Sequence, residues 1–366
     1  MTGLQVGASY AGGVNSLPLA FEGPQPSARG RSAAAYGLLP SDLARLGVAA
    51  AEASFTVLQR PWLWNSSGPA LGKQARQVLA EQGLDLPTIA ERHASSDGSC
   101  KLLLRLGGDA IEAVHMPRAI GRGRVTLCVS SQVGCAMGCT FCATASMGFQ
   151  RQLGAGEIVG QVLGVIRELG PRHPSELSLV FMGMGEPLHN LAELTRALGV
   201  LCHPAGLGLA ARRITVSTSG LVPGIDELGR LPFRPLLALS LNATTDDVRA
   251  QLMPVNRRYP LAALRSALER YPLRPREHVT IEYVLLQGIN DTLEDAARLA
   301  DFCAGIPHNI NLIPFNEHPR SHFRAPTEQH IDRFARALLD RRPSLLTVRR
   351  SRGRDVQAAC GQLVQD

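Results

Sequence analysis

The sequence predicts an α/β protein, a partial (β/α)6 TIM-like barrel preceded by a small N-terminal helical accessory domain. Six short apolar runs alternate with amphipathic helical patterns over residues 124–316. No G-x-G-x-x-G turn follows the first of these runs, which disfavours the competing doubly wound open sheet. On the N-terminal side of these runs the patterns are helical, except for one segment that resembles a β-hairpin. Together these observations favour a barrel with an added domain.

The N-terminal third divides into three segments. Residues 1–38 are rich in Gly, Ala, Ser and Pro without periodicity, and we expect a flexible tail. Residues 39–95 contain the helical patterns PSDLARLGV, KQARQVLAEQG and DLPTIAERH, interpreted as a small helical accessory domain with Trp62 and Trp64 in its core. Residues 96–117 hold two apolar runs around a Gly-Gly-Asp turn, which predicts a β-hairpin connector.

The core, residues 118–366, alternates predicted strands and helices. The predicted strands are RVTLCVSS, LSLVFMG, RITVSTS, LLALSLN, HVTIEYVLL and HNINLIPF. The predicted helices are GEIVGQVLGVIREL, LAELTRALGVL, DDVRAQL, LAALRSALERY and TLEDAARLADFC. A last helix, TEQHIDRFARALLDRR, and a last strand, LLTVRRSR, precede a C-terminal tail that carries Cys360. Parallel strands joined by right-handed helical crossovers curl into a partial barrel.

The composition is that of a globular protein, and its net charge favours a polyanionic partner. The chain has 366 residues, 45% of them hydrophobic and 19% charged, and a net charge of +7. The positive charge is carried almost wholly by arginine and favours nucleic-acid binding. No secretory signal and no apolar run of about 20 residues is visible. We therefore expect a cytoplasmic protein without a membrane partner.

Cys135, Cys139 and Cys142 have C-x3-C-x2-C spacing on one short loop. Three thiolates can hold three irons of a [4Fe-4S] cubane and leave the fourth iron open, whereas clusters that only carry electrons normally use four cysteines. An open iron is what S-adenosylmethionine needs for chelation before one-electron cleavage. The alternative, a structural zinc loop, would require a fourth Cys or His at a partner spacing.

Small polar residues and a glycine-rich turn follow the predicted strands, where a β/α barrel carries its functional groups. The turn contains Gly185 and Glu186, whose carboxylate could accept hydrogen bonds from an amino group. Ser217, Ser240 and Asn316 end later strands. An ordinary tight turn, or loop and cap residues, are the alternative interpretations.

Two further cysteines are distinguished by position. Cys128 lies in the first core strand, seven residues before the cysteine loop, and Cys360 follows the basic stretch RRSRGRD. We expect Cys360 to be mobile and near positive charge, a setting that makes a thiol nucleophilic. Burial as small apolar side chains is expected for Cys100, Cys202 and Cys303.

With these motifs assembled, the chain resembles the radical-SAM RNA adenine methyltransferases of the RlmN/Cfr family. The resemblance runs from about Glu112 to Gln362 and rests on motifs in order: LCVSSQVGCAMGCTFCATASMGF, VFMGMGEPLHN, ITVSTSG, LALSLNA, MPVNRRYP, VTIEYVLLQGIND, NINLIPFN and AACGQL. It implies a radical-SAM barrel fold and a role for each matched residue.

The implied site residues fall into three groups. The cluster ligands are Cys135, Cys139 and Cys142. The S-adenosylmethionine contacts are Gly185, Glu186, Ser217, Ser240, Leu241, Asn242 and Asn316. The catalytic residues are Cys360, which is methylated, Cys128, its transient disulfide partner, and Glu112, the proton acceptor. Asn242 stands where many members have histidine, and two more residues separate Glu112 from Cys128 than in some members.

The resemblance also implies a two-cysteine reaction that consumes two S-adenosylmethionine molecules. Cys360 accepts a methyl group from the first, and loses a hydrogen atom from that methyl group after cleavage of the second. The methylene carbon then adds to the adenine, and attack of Cys128 on Cys360 releases the methylated base with a disulfide. A flavodoxin-type electron donor and a thiol reductant are the expected partners.

The implied substrate is carbon 2 of an adenosine in 23S ribosomal RNA, at the peptidyl-transferase centre, and of the adenosine next to the anticodon in some transfer RNAs. The protein is expected to act as a monomer. The helical accessory domain at residues 39–95 holds no candidate redox or cofactor residue and is expected to bind RNA. The Gly-Phe pair in ATASMGF favours carbon 2 over the carbon-8 resistance branch. Arg349, Arg350, Arg352 and Arg354 are candidate phosphate contacts, with a solvated basic face as the alternative. A radical-SAM enzyme acting on a small molecule or peptide, and a non-catalytic iron–sulfur RNA-binding protein, are the remaining alternatives.

Overall fold

The structure is a computed structural model that describes residues 33–117, 124–170, 173–341, 345–350 and 352–364. Strands and helices alternate through most of these ranges, which confirms the predicted α/β class. Within the described part of the chain, no helix is both long and apolar enough to cross a membrane.

Three short helices lie near the beginning of the described chain: α1 (Pro40–Arg45), α2 (Ala51–Leu58) and α3 (Lys73–Gln82). Phe55 and Leu58 of α2 are fully buried and anchor their core. The prediction that Trp62 belongs to this core is wrong, because Trp62 lies beyond the end of α2 and is 42% exposed. Trp64 is only partly buried, and its indole N–H donates to the carbonyl of Val57 at 2.7 Å.

The predicted flexible tail over residues 1–38 is folded at its end. Residues 1–32 lie outside the described residues, but Ala34–Gly37 form a 3-10 turn in which Tyr36 is buried. Gly37 packs so closely on Gly156 that a Cβ at Gly37 would lie 2.6 Å from the Gly156 nitrogen. The last residues of this segment therefore belong to the core.

An antiparallel sheet joins the helical segment to the barrel, formed by β1 (Thr88–Ala94), β2 (Cys100–Leu106) and β3 (Asp109–Pro117). Strands β2 and β3 occupy the expected hairpin. The prediction that DLPTIAERH is helical is wrong, since Thr88–Ala94 forms a strand that pairs with β2. Pro87 disfavours a helical residue before it, and the β-branched side chains that follow favour extended backbone.

The antiparallel strands and the core strands form one ten-stranded sheet. Its order is β1-β2-β3-β4-β7-β8-β9-β10-β11-β12, and from β4 onward the neighbours are parallel. A separate two-stranded sheet, β5 with β6, flanks the cysteine loop. The strand bounds are β4 Val125–Cys128, β5 Gln132–Gly134, β6 Phe149–Gln152, β7 Leu177–Phe181, β8 Ile214–Thr218, β9 Leu236–Ser240, β10 Val279–Leu285, β11 His308–Pro314 and β12 Leu345–Val348.

Helices connect the parallel strands: α4 Ala143–Ser146, α5 Ala155–Leu169, α6 Leu191–Cys202, α7 Val222–Arg230, α8 Asp246–Leu252, α9 Leu261–Glu269, α10 Leu293–Phe302 and α11 Glu328–Arg341. Helix α5 is buried along most of its length, because the N-terminal segment covers its outer side. Helix α7 is missed by the sequence patterns since it contains Pro223 and two glycines, although proline is compatible with a first turn. Cys303 is fully buried as expected, whereas Cys100 and Cys202 are only partly buried.

Candidate functional site

A cavity opens at the carboxyl ends of the parallel strands and brings most of the expected site residues together. It holds about 1050 Å³ of empty space, including its open mouth. Its lining includes Cys135, Cys139, Cys142, Gly185, Glu186, Ser217, Ser240, Asn242, Asn316 and Cys360. Leu241 is fully buried behind this surface, and Cys128 and Glu112 are not among the lining residues.

The cysteine loop is fixed from both sides. The Cys135 N–H donates to the carbonyl of Gly148 at 2.9 Å, and Gly134 before it has a φ of +73°. A Cβ at Gly134 would lie 1.9 Å from that same carbonyl oxygen, so only glycine fits. On the other side, the Thr140 N–H donates to the carbonyl of Leu252 at 3.0 Å. The three thiols are thus held on a rigid turn.

The electrostatics of the three cysteines suit a cationic group. Burial raises the pKa of Cys135 to about 12, and the negative charges of Cys142 and Glu186 add to this. Burial also raises the pKa of Cys139 well above its usual value, and Cys142 and Cys135 act in the same direction. The three cysteines line the same cavity, and bound iron would stabilise them as thiolates.

The donor set fits an iron–sulfur cluster with one open iron. Cys135, Cys139 and Cys142 would each bind a different iron, so the sulfurs need not converge on one ion. Among the described residues, no three His, Cys, Asp or Glu side chains surround a single metal position. The other cavity residues leave room for S-adenosylmethionine beside the cysteines.

The turn after β7 lines the cavity, and its close packing there requires a glycine. Gly185 has a φ of +97°, and a Cβ there would lie 2.5 Å from Cβ of Gln132. The Gln132 side-chain carbonyl accepts the Glu186 N–H at 2.8 Å and fixes the turn. The Glu186 carboxylate accepts the N–H and the hydroxyl of Ser219 at 2.7 and 2.9 Å. Burial raises the pKa of Glu186, while hydrogen bonds from Ser219 and Leu188 oppose this.

Strands β8 and β9 end side by side. The hydroxyl oxygens of Ser217 and Ser240 are 3.5 Å apart and both line the cavity. Asn242 has a φ of +57°, and its side-chain oxygen accepts the Val284 N–H at 2.9 Å. The amide nitrogen of Asn242 faces the sulfur of Met253 at 3.3 Å. The Asn242 side chain is therefore already bonded within the protein.

A buried arginine that the sequence interpretation missed lies behind these strand ends. Arg249 of α8 has no exposed surface, and its guanidinium donates to the carbonyls of Leu241, Ser219 and Ser240. Burial lowers the pKa of Arg249 to about 10, and the charges of Cys139 and Asp246 oppose this. A charged residue within DDVRAQL normally indicates a solvated helix face, so nothing in this segment indicated that Arg249 would be buried.

The C-terminal tail is docked on the rest of the protein, so the prediction that Cys360 is mobile is wrong. The Cys360 carbonyl accepts from the side-chain amide of Asn316 at 3.2 Å, and the Gly361 carbonyl accepts the Ala143 N–H at 2.7 Å. Leu363 is buried, and its carbonyl accepts the hydroxyl of Thr144 at 2.6 Å. These bonds hold Cys360 against the cysteine loop. A basic, glycine-containing segment can thus be fixed by contacts with residues far away in the sequence.

Cys128 and Cys360 share a small void next to the main cavity. Burial raises the pKa of Cys128 to about 12, the negative charge of Cys360 adds to this, and Arg349 opposes it. Arg349 lines both the cavity and the void, so this predicted phosphate contact faces inward. The buried carboxylate of Glu282 is 3.9 Å from the Arg349 guanidinium, and its Oε2 accepts no hydrogen bond.

Two of the other predicted phosphate contacts are also engaged within the protein. Arg350 is paired with Glu328 at 2.5 Å. The guanidinium of Arg352 donates to the carbonyls of Pro117 and Asp97 at 2.5 and 2.6 Å. Arg354 is exposed. The basic stretch therefore serves largely to dock the tail.

Glu112 lies next to the tail and not in the cavity wall. It is 3% exposed, its Oε1 is 3.0 Å from Nζ of Lys101, and its Oε2 accepts the Val364 N–H at 2.7 Å. Burial raises the pKa of Glu112, against the charge of Lys101. The Glu112 carbonyl accepts the hydroxyl of Ser130, two residues beyond Cys128. Glu112 therefore connects the hairpin, the tail and the strand that carries Cys128.

Comparisons with known proteins agree with this site. A model of the Radical SAM superfamily matches residues 129–302. The dual-specificity RNA methyltransferase RlmN of Geobacter sulfurreducens is 50% identical over 296 residues, 80% of this chain and 79% of that protein. The RlmN of Anaeromyxobacter sp. is 46% identical over 347 residues, 90% of each chain.

A solved structure extends the agreement to three dimensions. The crystal structure of a radical SAM methyltransferase from Sphaerobacter thermophilus matches with a TM-score of 0.81 and 42% identity, over 90% of this chain and 98% of that one. The predicted barrel type and the predicted resemblance are both confirmed. The chain belongs to the radical-SAM RNA methyltransferase family represented by the RlmN enzymes.

Proposed function

We propose that this protein methylates carbon 2 of an adenosine in 23S ribosomal RNA, at the peptidyl-transferase centre, and of the adenosine next to the anticodon in some transfer RNAs. The observation that carries the proposal is the pair Cys128 and Cys360 in one void beside the cavity of the cysteine loop. A radical-SAM enzyme without a methyl-carrying cysteine would not need a second thiol there. The curated relatives, described as dual-specificity RNA methyltransferases, support the choice of substrates.

When bound, the [4Fe-4S] cluster and S-adenosylmethionine supply methyl transfer and hydrogen-atom abstraction. Cys135, Cys139 and Cys142 hold the cluster, and Glu186 and Ser217 contact S-adenosylmethionine. The remaining contacts in this proposal are Gly185, Ser240, Leu241, Asn242 and Asn316. Because the Asn242 amide bonds to Val284 and faces Met253, its contribution is to shape the cavity wall.

Cys360 is the methyl carrier. Its backbone is fixed by Asn316 and by the neighbouring Gly361, which keeps its sulfur at the cavity wall. Arg349 beside it offers a positive charge to the sulfur. Cys360 would be methylated, and the methylene radical left on it after loss of a hydrogen atom would add to the adenine carbon. One electron, for which the bound cluster would be the acceptor, and the proton of that carbon would then leave the adduct, the proton to Glu112. Attack of the Cys128 thiolate on the Cys360 sulfur would break the carbon–sulfur bond and form the disulfide, and the released carbon would take up a proton. A thiol reductant must restore both thiols, which suits the cytoplasm.

Glu112 is the proposed proton acceptor. Its contacts with Lys101 and Val364 support a role that depends on the seating of the tail. The raised pKa of this carboxyl makes it a better proton acceptor than an exposed glutamate. Reaching the base would require Glu112 to exchange its bond to Val364.

Removing Cys128 tests the proposal directly. Cys128→Ala should allow radical addition but block release, so that a covalent protein–RNA adduct through Cys360 accumulates. The adduct is measured as a shifted band that ribonuclease trims to a short oligonucleotide mass. Cys303→Ala, which removes another buried cysteine far from the void, is the matched control and should release product normally.

Two results would contradict the proposal. Free, fully methylated RNA formed at a normal rate by Cys128→Ala would refute the two-cysteine reaction. An 8-methyladenosine product from the wild-type enzyme would favour the carbon-8 alternative. The double variant Cys128→Ala/Cys360→Ala should give no adduct.

A further inference from the structure

Arg249 is fully buried and makes four hydrogen bonds within the site. Its Nε donates to the carbonyl of Leu241 at 2.9 Å, and one Nη donates to the side-chain carbonyl of Asn256 at 3.0 Å. The other Nη donates to the carbonyls of Ser219 and Ser240 at 2.6 and 3.1 Å. One guanidinium therefore joins the ends of the two adjacent strands β8 and β9.

The surroundings of Arg249 connect it to the cysteine loop. Helix α8, which carries Arg249, ends at Leu252, whose carbonyl accepts the Thr140 N–H at 3.0 Å. Asn256 also donates to the backbone and side chain of Asp246 at the start of α8. The helix is thus held at both ends, with its buried cation between the strand ends and the cysteine loop.

We propose that Arg249 is a positioning residue whose planar fork fixes the strand ends that contact S-adenosylmethionine. The inference rests on the proposed cofactor contacts at Ser217, Ser240 and Leu241. A lysine would keep the charge but lose the fork, because an ammonium cannot reach four acceptors in this planar arrangement. A methionine would lose both.

The test compares Arg249→Lys with Arg249→Met in reconstituted enzyme of matched iron content. Equilibrium dialysis with S-adenosylmethionine should show binding about tenfold weaker in both variants. Redox titration followed by electron paramagnetic resonance should show an unchanged midpoint in Arg249→Lys. An unchanged midpoint shows that the cysteine loop is intact, so that weaker binding reports on the strand ends.

Arg234 supplies the matched control. It is 4% exposed, pairs with Glu277 at 2.5 Å, and lies before the amino end of β9, at the opposite end of the strand from the cavity. Arg234→Lys and Arg234→Met should leave both S-adenosylmethionine binding and the midpoint unchanged.

The outcomes distinguish this inference from the proposed function. Wild-type protein that fails to bind S-adenosylmethionine would contradict the proposed function itself. Wild-type protein that binds it, with Arg249→Lys no weaker than Arg234→Lys, would overturn the positioning role. If Arg249→Met does not fold, Arg249→Lys still tests the fork.

Discussion

The cavity has two walls that are built in different ways. The cluster wall consists of the cysteine loop, the turn at residues 183–187 and the ends of β8 and β9. The tail wall consists of Arg349, Cys360, Gly361 and Leu363, with Cys128 and Glu112 behind it. The cluster wall uses loops that directly follow strands, whereas the tail wall depends on contacts between segments more than 200 residues apart, such as Glu112 with Val364. Substitutions in the two walls should therefore fail in different ways.

The largest effect is expected in the cluster wall. Cys135→Ala removes one of three cluster ligands, so the anaerobically purified protein should lose its brown colour and all turnover. Wild-type protein should bind about four irons by chemical analysis. The tail should remain docked, as measured by its resistance to trypsin. Retained 5′-deoxyadenosine formation in Cys135→Ala would contradict the ligand assignment.

Glu112→Gln should affect the tail wall alone. It leaves the buried ammonium of Lys101 without its partner and should lower the free energy of unfolding by about 3 to 5 kcal/mol. RNA methylation should fall about 100-fold, consistent with loss of a general base, while S-adenosylmethionine binding is retained. The measurements are denaturant unfolding and product formation by mass spectrometry.

The double variant Glu112→Gln/Lys101→Met separates chemistry from stability. Removing the unpaired ammonium should restore most of the lost stability. If Glu112 is the proton acceptor, methylation stays low. Recovery of methylation together with stability would show that Glu112 only holds the tail.

The smallest effect is expected at Asp97, in the turn between β1 and β2, which docks the tail. Burial opposes ionisation, but hydrogen bonds from Ser99 and the Gly353 N–H, together with Arg352, lower the pKa of Asp97 to about 2. Asp97→Asn should weaken docking by roughly 1 kcal/mol, because the group is partly exposed to solvent. Trypsin cleavage after Arg352 should be about fivefold faster.

The pH dependence follows from the lowered pKa of Asp97. Its contribution is fully present above the unfolded value near 4 and is lost only as the pH falls through about 2. The trypsin protection due to Asp97 should therefore be equal at pH 6 and pH 9. Asp301→Asn, which breaks a remote exposed pair with Arg341, is the control and should not change cleavage of the tail.

The cluster wall could be predicted from the sequence because its residues follow strands in recognisable motifs. The three cysteines, Gly185 and Ser240 all line the cavity where the barrel model expects them. The tail wall could not be predicted, since docking of the tail depends on Asp97 and Glu112, whose partners Gly353 and Val364 lie more than 200 residues away along the chain. Arg249 was missed for a related reason. Its burial arises only when α8 packs on two strand ends, and helix periodicity does not indicate which polar residue will be enclosed.

The left-handed backbone at Asn242 constrains how this position can vary in evolution. Its φ of +57° belongs to a region that few side chains tolerate, and asparagine, aspartate and histidine are the residues enriched there. Exchange of Asn242 for histidine, the residue that the family resemblance implies here, would thus preserve the path of the chain from β9 into the cavity. β-Branched residues would strain that path.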